Sequence, residues 1–593
     1  MSAQSAIFNP TDTTSAATGS GFSVPRLTTT GRLAIVFGTG DIGMMVYDTT
    51  LNNLFIWNGT AWESIPSSGD SSNQQVIFND NGVLIGDPGL LFNKTTDKLT
   101  VAGTLDIWRG LLNQGNSTGV GNDTLNQTIV GASANTAFGY RAASQLTTGT
   151  LNTGVGYLAL KGATTNFTGG SNTAVGANAG LQVSSGGSNS FFGKATGGAV
   201  TTGSFNVAVG HDALANTAQA STGDNNIAIG NSSMFSASPF TGADNIGIGK
   251  DTLRALTTGN NNVGIGTSAL NIVTIGTDNI ALGQVAGSKI TTGVQNIAIG
   301  INAMTGAQAV SSNRNIGIGS QALFTDPVVG LSGSDNIAIG DNAARGLTTG
   351  TNNVFIGKNS GYTSNTISGS YNTGINSDTL RNLSTGTGNT AIGLNALKAV
   401  ITGSYNVAIG HEALQLATSG DQVAVGVGAL GSMVGGGQNT AVGRAALFGV
   451  IAGNNNCAIG YLAANVTIGS SNTAVGSLAM QNSTSGNNNT SVGQAALSGV
   501  LTGSNNTALG VAAGSNATTG SSNLILGTSA ALVAAGDSNQ IVIGSLTSFV
   551  GTTAANTYYA NANTGLTLPP AGSNGFWRVI INGTARKLAV YPD

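Results

Sequence analysis

Histidine is the side chain best suited to acid–base work near neutral pH, and this 593-residue chain has two, His211 and His411. Both directly follow a glycine in the same local context, GHDAL (210–214) and GHEAL (410–414). At the equivalent place elsewhere stand Tyr157, Lys194, Lys250, Gln284, Asp341, Arg444, Tyr461 and Val511. A position that accepts acids, bases, aromatics and aliphatics alike reads as solvent-facing. Carboxylates are as sparse: Glu63 and Glu412 are the two glutamates, and Asp244, Asp278 and Asp335 each directly precede an asparagine. Asp before Asn fits an Asx-type turn. A glycosidase pair or a calcium cradle needs carboxylates gathered at a defined separation, and neither an EF-hand loop nor an RTX-type nonapeptide occurs.

Glycine spacing offers two more chemistries, and both fail on context. Gly426-Val427-Gly428-Ala429-Leu430-Gly431 fits the dinucleotide fingerprint, but no strand–helix–strand unit surrounds it. Gly193-Lys194 and Gly249-Lys250 are followed by Ala195 and Asp251, where a phosphate loop needs Ser or Thr. The single cysteine, Cys457, allows neither a disulfide within the chain nor a CxxC site. It occupies a slot filled elsewhere by Thr173, Val207 and Ile227, which reads as a small packed thiol. The expectation is a protein without catalytic residues, cofactor or metal.

The elements behind these residues are set by an unusual composition. Charged residues are 7% of the chain, against roughly 25% in soluble globular proteins. Glycine numbers 91 and aromatics are 5%, so large side chains cannot fill a conventional core along most of the length. Positive mean hydropathy argues against disorder, and the balance suits a thin ordered object with Ala, Val and Ile inside. Net charge is −3, which offers no basic surface for nucleic acid. No run of 18 apolar residues predicts a membrane helix. The stretch MSAQSAIFNPTDTTSAATGSG lacks the basic and apolar regions of a secretory signal.

Self-similarity decides the fold class. TTGSFNVAVGHDAL (201–214), TTGVQNIAIGINAM (291–304), ITGSYNVAIGHEAL (401–414) and LTGSNNTALGVAAG (501–514) are one pattern, Gly-x-x-Asn-x-Ala-Ile/Val-Gly-x-x-Ala. Its closing glycine recurs from Gly121 to Gly544, with Asn376 replacing it once, and 15 of the 24 intervals are 17 residues. In Asn-Ile-Ala-Ile-Gly (226–230) the two Ile share one face of a strand and Asn, Ala and Gly the other. Thr-Gly and Asn-Asn pairs sit where the chain must turn. One period then supplies two short strands and two turns. The reading is all-β: a parallel β-roll or β-solenoid shaft of about 25 coils. Asn206, Gly210, Asn226, Gly230, Asn296, Gly300, Asn406, Gly410, Asn506 and Gly510 mark ladders that satisfy buried backbone groups along it. So thin a coil leaves apolar faces exposed, which predicts association of several chains, taken here as a homotrimer.

The motif Asn-x-Ala-Ile-Gly-x-x-Ala over residues 115–545 resembles the head repeat of YadA-like trimeric autotransporter adhesins. That resemblance implies a left-handed parallel β-roll trimer. The repeat here is longer, and the ending GFWRVIINGTARKLAVYPD (575–593) lacks the amphipathic strands of that family's membrane anchor. Residues 22–66, with Val24-Pro25-Arg26, Met45-Val46-Tyr47-Asp48 and Trp57-Asn58-Gly59-Thr60-Ala61-Trp62, resemble a segment of phage tail-fibre and other virion proteins. Residues 74–108 resemble fibre sequences in which short strands precede a repetitive shaft, with Asp80-Asn81-Gly82 as a hairpin turn.

Together these readings predict five segments: a leader (1–20), a β attachment module (21–70), a β transition (71–114), the shaft (115–545) and a β tip (546–593), with Asn582-Gly583-Thr584 turning a hairpin. Trp57, Trp62, Trp108 and Trp577 all lie outside the repeats, where they can form small cores. Trp57, Trp62 and Trp577 are also candidate contact aromatics. The resemblances imply a virion fibre that attaches to the host surface. Its partners would be further copies of itself, other virion proteins at the N-terminal region, and a host glycan or protein. Competing readings are a cell-surface trimeric adhesin exported by a non-standard route, a polysaccharide-depolymerising spike and an ice-binding solenoid.

Overall fold

The computed structural model describes residues 24–38, 41–65, 116–126, 131–163, 167–216, 220–306, 308–325, 330–466, 469–532 and 534–543. It also describes the backbone of the strands within 74–109 and of those at 558–560, 576–581 and 584–589. The chain divides into two compact units, Met1–Gly276 and Thr277–Asp593.

Unit 1 opens on a small module. Strand β1 (Arg26–Leu27) pairs in parallel with β2 (Met45–Asp48), which continues antiparallel through β3 (Asn53–Trp57) to β4 (Trp62–Ile65). Between β1 and β2 lies the one-turn helix α1 (Thr29–Leu33), whose N-cap Thr28 accepts from the Gly31 N–H. The alternating burial of β2 turns Val46 and Asp48 inward. After the module, strands Gln74–Asp80, Val83–Asn93, Lys98–Val101 and Leu105–Arg109 run as an antiparallel meander. Asp80 stands opposite Val83; Asn81 and Gly82, the expected turn, lie outside the described residues. The last of these strands pairs antiparallel with Thr118–Val120, where the repeats begin.

From Thr118–Val120 to Val263–Ile265, nine three-residue strands in unit 1 stack in parallel, each pairing with the next. Unit 2 repeats the arrangement with seventeen, from Ile280–Leu282 to Tyr558–Ala560. Both units are therefore parallel β-solenoids. Equivalent residues pair with equivalent residues, as in Val207↔Ile227, Ala208↔Ala228 and Val209↔Ile229. The 20 residues from Gly210 to Gly230 do not disturb this register, because the excess is taken up between strands. Unit 2 ends on an antiparallel hairpin, Phe576–Ile581 with Thr584–Ala589; Asn582 and Gly583 of the expected turn lie outside the described residues.

Two expectations about the coil are corrected. The first is the second strand. Opposite the three-residue strand there are isolated parallel bridges, such as Leu146↔Phe167, Val200↔Ser221 and Ile290↔Val310. After the motif glycine, alternate residues take positive φ: Gly210 at 130°, Asp212 at 55° and Leu214 at 49°. That alternation coils the backbone too tightly for a pleated strand. A left-handed conformation costs an ordinary residue about 1–2 kcal/mol. Burying a leucine returns about 1.5–3 kcal/mol, and Leu214 is 3% exposed with its N–H donating to the Ser233 carbonyl in the next coil at 2.9 Å. Burial and the inter-coil hydrogen bond together offset the strain.

The second correction concerns the interior. Ala228 is fully buried while Ile229 beside it is 37% exposed. A three-residue strand points one residue in and two out, so the motif Ile and Val line the outside. Inside are Ala from the strand and Leu, Met, Val or Ile from the turns, such as Ala208, Leu214, Val200 and Ile290. Glycine is required where coils touch. A Cβ on Gly210 would lie 2.6 Å from the Gly230 carbonyl oxygen, and one on Gly203 would lie 2.4 Å from that of Gly223. Asn376 holds the motif-glycine position with φ at 101°.

In two coils a large strand residue is accommodated by a glycine in the turn. Phe191 and Phe355 replace the strand alanine, and both are fully buried. Four residues after the motif glycine, where Leu is the commonest residue, these two have Gly197 and Gly361. A Cβ on Gly361 would meet the Phe355 ring at 2.6 Å. Gly361→Leu alone therefore overpacks the coil and should cost about 1–3 kcal/mol. Phe355→Ala alone leaves a cavity costing about 3–5 kcal/mol. Combined, they restore the commoner Ala/Leu pairing, and denaturant unfolding should show the double variant well above the sum of the singles. Additive losses would mean that the two sites do not share one volume.

Candidate functional site

The residues that recur most strictly are structural. Asn226 is fully buried. Its Oδ1 accepts from the Asn245 backbone N–H at 3.0 Å and from Asn245 Nδ2 at 3.1 Å. Its Nδ2 donates to Asn206 Oδ1 at 3.1 Å and to the Gly242 carbonyl at 3.0 Å. Asn206 stands likewise between Asn189 and Asn226. In unit 2, Asn296, Asn406 and Asn506 occupy the same column, each donating its backbone N–H to the preceding Asn. Among the described residues, Ser117 begins the column in unit 1, accepting from the Asn135 N–H, and Gln540 is its last member in unit 2. Gln422 substitutes within it, accepting from the Asn439 N–H at 3.1 Å. Gly210, Gly230, Gly300, Gly410 and Gly510 form the neighbouring column, with φ between 126° and 138°.

Residues considered for chemistry are dispersed over the outside of the coils. His211 and His411 are each 47% exposed and stand beside their own neighbours, with His211 Nδ1 2.9 Å from Asp212 Oδ2 and His411 Nε2 3.8 Å from Glu412 Oε1. Asp244, Asp278 and Asp335 hold the left-handed turn position before the buried Asn. Asp335 is joined to Arg314 of the preceding coil by two hydrogen bonds of 2.6 and 2.9 Å. The Arg314 hydrogen bonds hold the Asp335 carboxyl below its usual range, and Asp335 raises the guanidinium in turn. Gly426 and Gly428 are turn residues at positive φ. Cys457 is half-buried at the first strand position, which faces outward, so the expected packed thiol lies on the outer face. Among the described residues, no group of three or more His, Cys, Asp or Glu is placed to hold a metal ion, and no helix is long and apolar enough to cross a membrane.

The N-terminal module gathers side chains of a different kind. Phe37 stacks on Trp57 with centroids 3.7 Å apart, and Trp62 meets both edge-on at 5.3 and 5.8 Å. The Trp62 indole N–H donates to the Arg32 carbonyl at 3.1 Å. Trp57 and Trp62 are half-buried in this cluster. Trp577 stands in the C-terminal hairpin opposite Leu588. Beneath the cluster lies an ion pair that sequence reading did not single out. Arg32 Nε donates to Asp48 Oδ2 at 3.0 Å, both side chains being buried, and the guanidinium also covers the Phe55 ring at 3.7 Å. Asp48 Oδ1 accepts from the Thr29 hydroxyl and from the N–H groups of Thr50 and Leu51. Burial by itself pushes the carboxyl up, but the Leu51, Thr29, Arg32 and Thr50 donors outweigh it and hold the pKa at about 2.

Comparison with known proteins places this module. Residues 5–81 match the family described as "Phage tail like trimerisation region". No curated protein and no solved structure matches the chain, so the likeness of the repeat to YadA-like heads rests on the motif alone. The trimerisation-region match and the β-solenoid that follows it support a phage tail-fibre-like protein.

Because folding lowers the Asp48 pKa, its contribution to stability is present above the unfolded value near 3.8 and is lost as pH falls through about 2. Tryptophan emission should report a module stable from neutral pH to about 4 that loosens between about 4 and 2. Asp48→Asn should lower its melting midpoint at neutral pH and flatten that acid response. An unchanged acid transition in Asp48→Asn would assign the titration to another group.

Proposed function

We propose that this chain is the subunit of a trimeric virion fibre that projects from the particle and attaches it to the host surface. The observation that carries the reading is the junction in one chain of a phage tail-like trimerisation match, residues 5–81, with a long repetitive solenoid. The N-terminal region joins the fibre to other virion proteins. The solenoid supplies reach, since each coil adds one strand spacing of about 4.8 Å. Three chains present every contact three times, so weak contacts with a host glycan or protein sum to useful avidity. The exposed residues of the interstrand segments 231–244, 305–314 and 321–335 and the C-terminal hairpin with Trp577 would carry those contacts. The action is mechanical and adhesive rather than catalytic: the buried repeat residues serve the fold, and the ionisable ones are scattered over the coils.

Purified chain added to bacteria susceptible to the parent particle should bind the cells and reduce adsorption of that particle in a dose-dependent way. Unimpaired adsorption in the presence of saturating, folded chain would overturn the attachment role.

A further inference from the structure

The outer face of the strands carries a pattern that the fold of one chain does not use. Every strand from Thr118–Val120 to Ile541–Ile543 ends in Val, Ile, Leu or Phe, and its first residue is uncharged throughout. These third-position residues are aligned by the parallel register, as in Val209↔Ile229 and Ile392↔Ile409. At a strand spacing of about 4.8 Å, aligned Ile and Val side chains touch, giving a continuous apolar ridge in each unit. They are not hidden: Val209, Ile229 and Ile265 are 37–39% exposed in unit 1, and Ile392, Ile409 and Ile459 are 36–42% exposed in unit 2.

The ridge has the make-up of an interface core. On one side lies the turn position filled by Asn225, Asp244 and Asn261, and on the other the variable position of His211, Lys250 and Arg444. The flanking positions also hold Tyr405 and Tyr461, so charge is tolerated beside the ridge and absent from it, as at the core of a protein contact, and contiguous apolar surface of this extent is rare on a monomer. The occupant must match a ridge that repeats once per coil over many coils. A second copy of this chain has that repeat by construction, in parallel and in register. Residues 5–81, which match a trimerisation region, precede the ridge and would set that alignment.

We infer that the third-position ridge is the surface through which copies of this chain pack against one another along the shaft, facing the common axis. This rests on the trimeric reading above. It assigns the turn position before the buried Asn and the position after the motif glycine to the periphery.

Paired cysteine variants of the full chain test it, each in a Cys457→Ser background. Ile459→Cys places a thiol on the ridge, and Tyr461→Cys places one two residues later at the peripheral position; Ile409→Cys repeats the ridge test in another coil. After copper–phenanthroline oxidation at low protein concentration, the ridge variants should give a dimer-sized band on non-reducing gels and Tyr461→Cys none. Light scattering on the unoxidised samples should give three times 58.5 kDa. A trimeric mass with no ridge cross-link, or with a cross-link at Tyr461→Cys alone, overturns the interface while leaving the trimer. A monomeric mass overturns the trimeric reading itself.

Discussion

Within each unit, nearly every coil is tied to the next by a buried asparagine amide. Asn226 gives and receives hydrogen bonds on both sides of its own coil, so the column satisfies backbone groups that a thin solenoid would otherwise bury unpaired. The geometry has little slack. The amide must reach one Asn ahead, one behind and a turn carbonyl at once, and that fixes how closely the coils stack. At that spacing a side chain on Gly203 or Gly210 would collide with the next coil's backbone. Both glycine columns therefore follow from the asparagine column, and with them much of the glycine content.

The same constraint explains what varies. Register is set over the few residues from the buried Asn to the motif glycine, and the rest of the coil varies in length and in core residues. Intervals range from 16 to 21 residues without loss of pairing. In the Phe355–Gly361 coil a large residue on the strand is matched by an absent side chain in the turn. Charge stays out of the column and off the ridge, and gathers on the outward turn positions. A repeat that tolerates loop insertions but not slippage is well suited to building length.

Much of this was legible in the sequence, because the residues that set the spacing are also the ones that recur. Alternation in Asn-Ile-Ala-Ile-Gly identified the strand and the face on which Asn226 and Ala228 lie. The outward apolar face was legible too, because so thin a coil cannot bury it: Ile229 is larger and more apolar than Ala228, yet only the small residue fits inside. The turn half of the coil was not legible, since Leu214 at φ 49° breaks the usual preference of a leucine, and only burial between coils justifies it. The Arg32–Asp48 pair was missed for a related reason. The two residues are 16 apart in the chain and meet only once the parallel β1–β2 pairing forms, so neither spacing nor motif announces them.

Hydrogen exchange on Asn226→Ala tests the asparagine column most directly. With the Asn226 Oδ1 removed, the buried Asn245 N–H loses its acceptor, and leaving such a donor unsatisfied costs about 1–3 kcal/mol. The account predicts that exchange of the Asn245 amide and its neighbours in the adjoining coils speeds up by about tenfold to a hundredfold. Distant amides such as Asn489 should keep their protection. Unchanged protection at Asn245 would contradict the account, and place the register in the strand ladder rather than in the asparagine column.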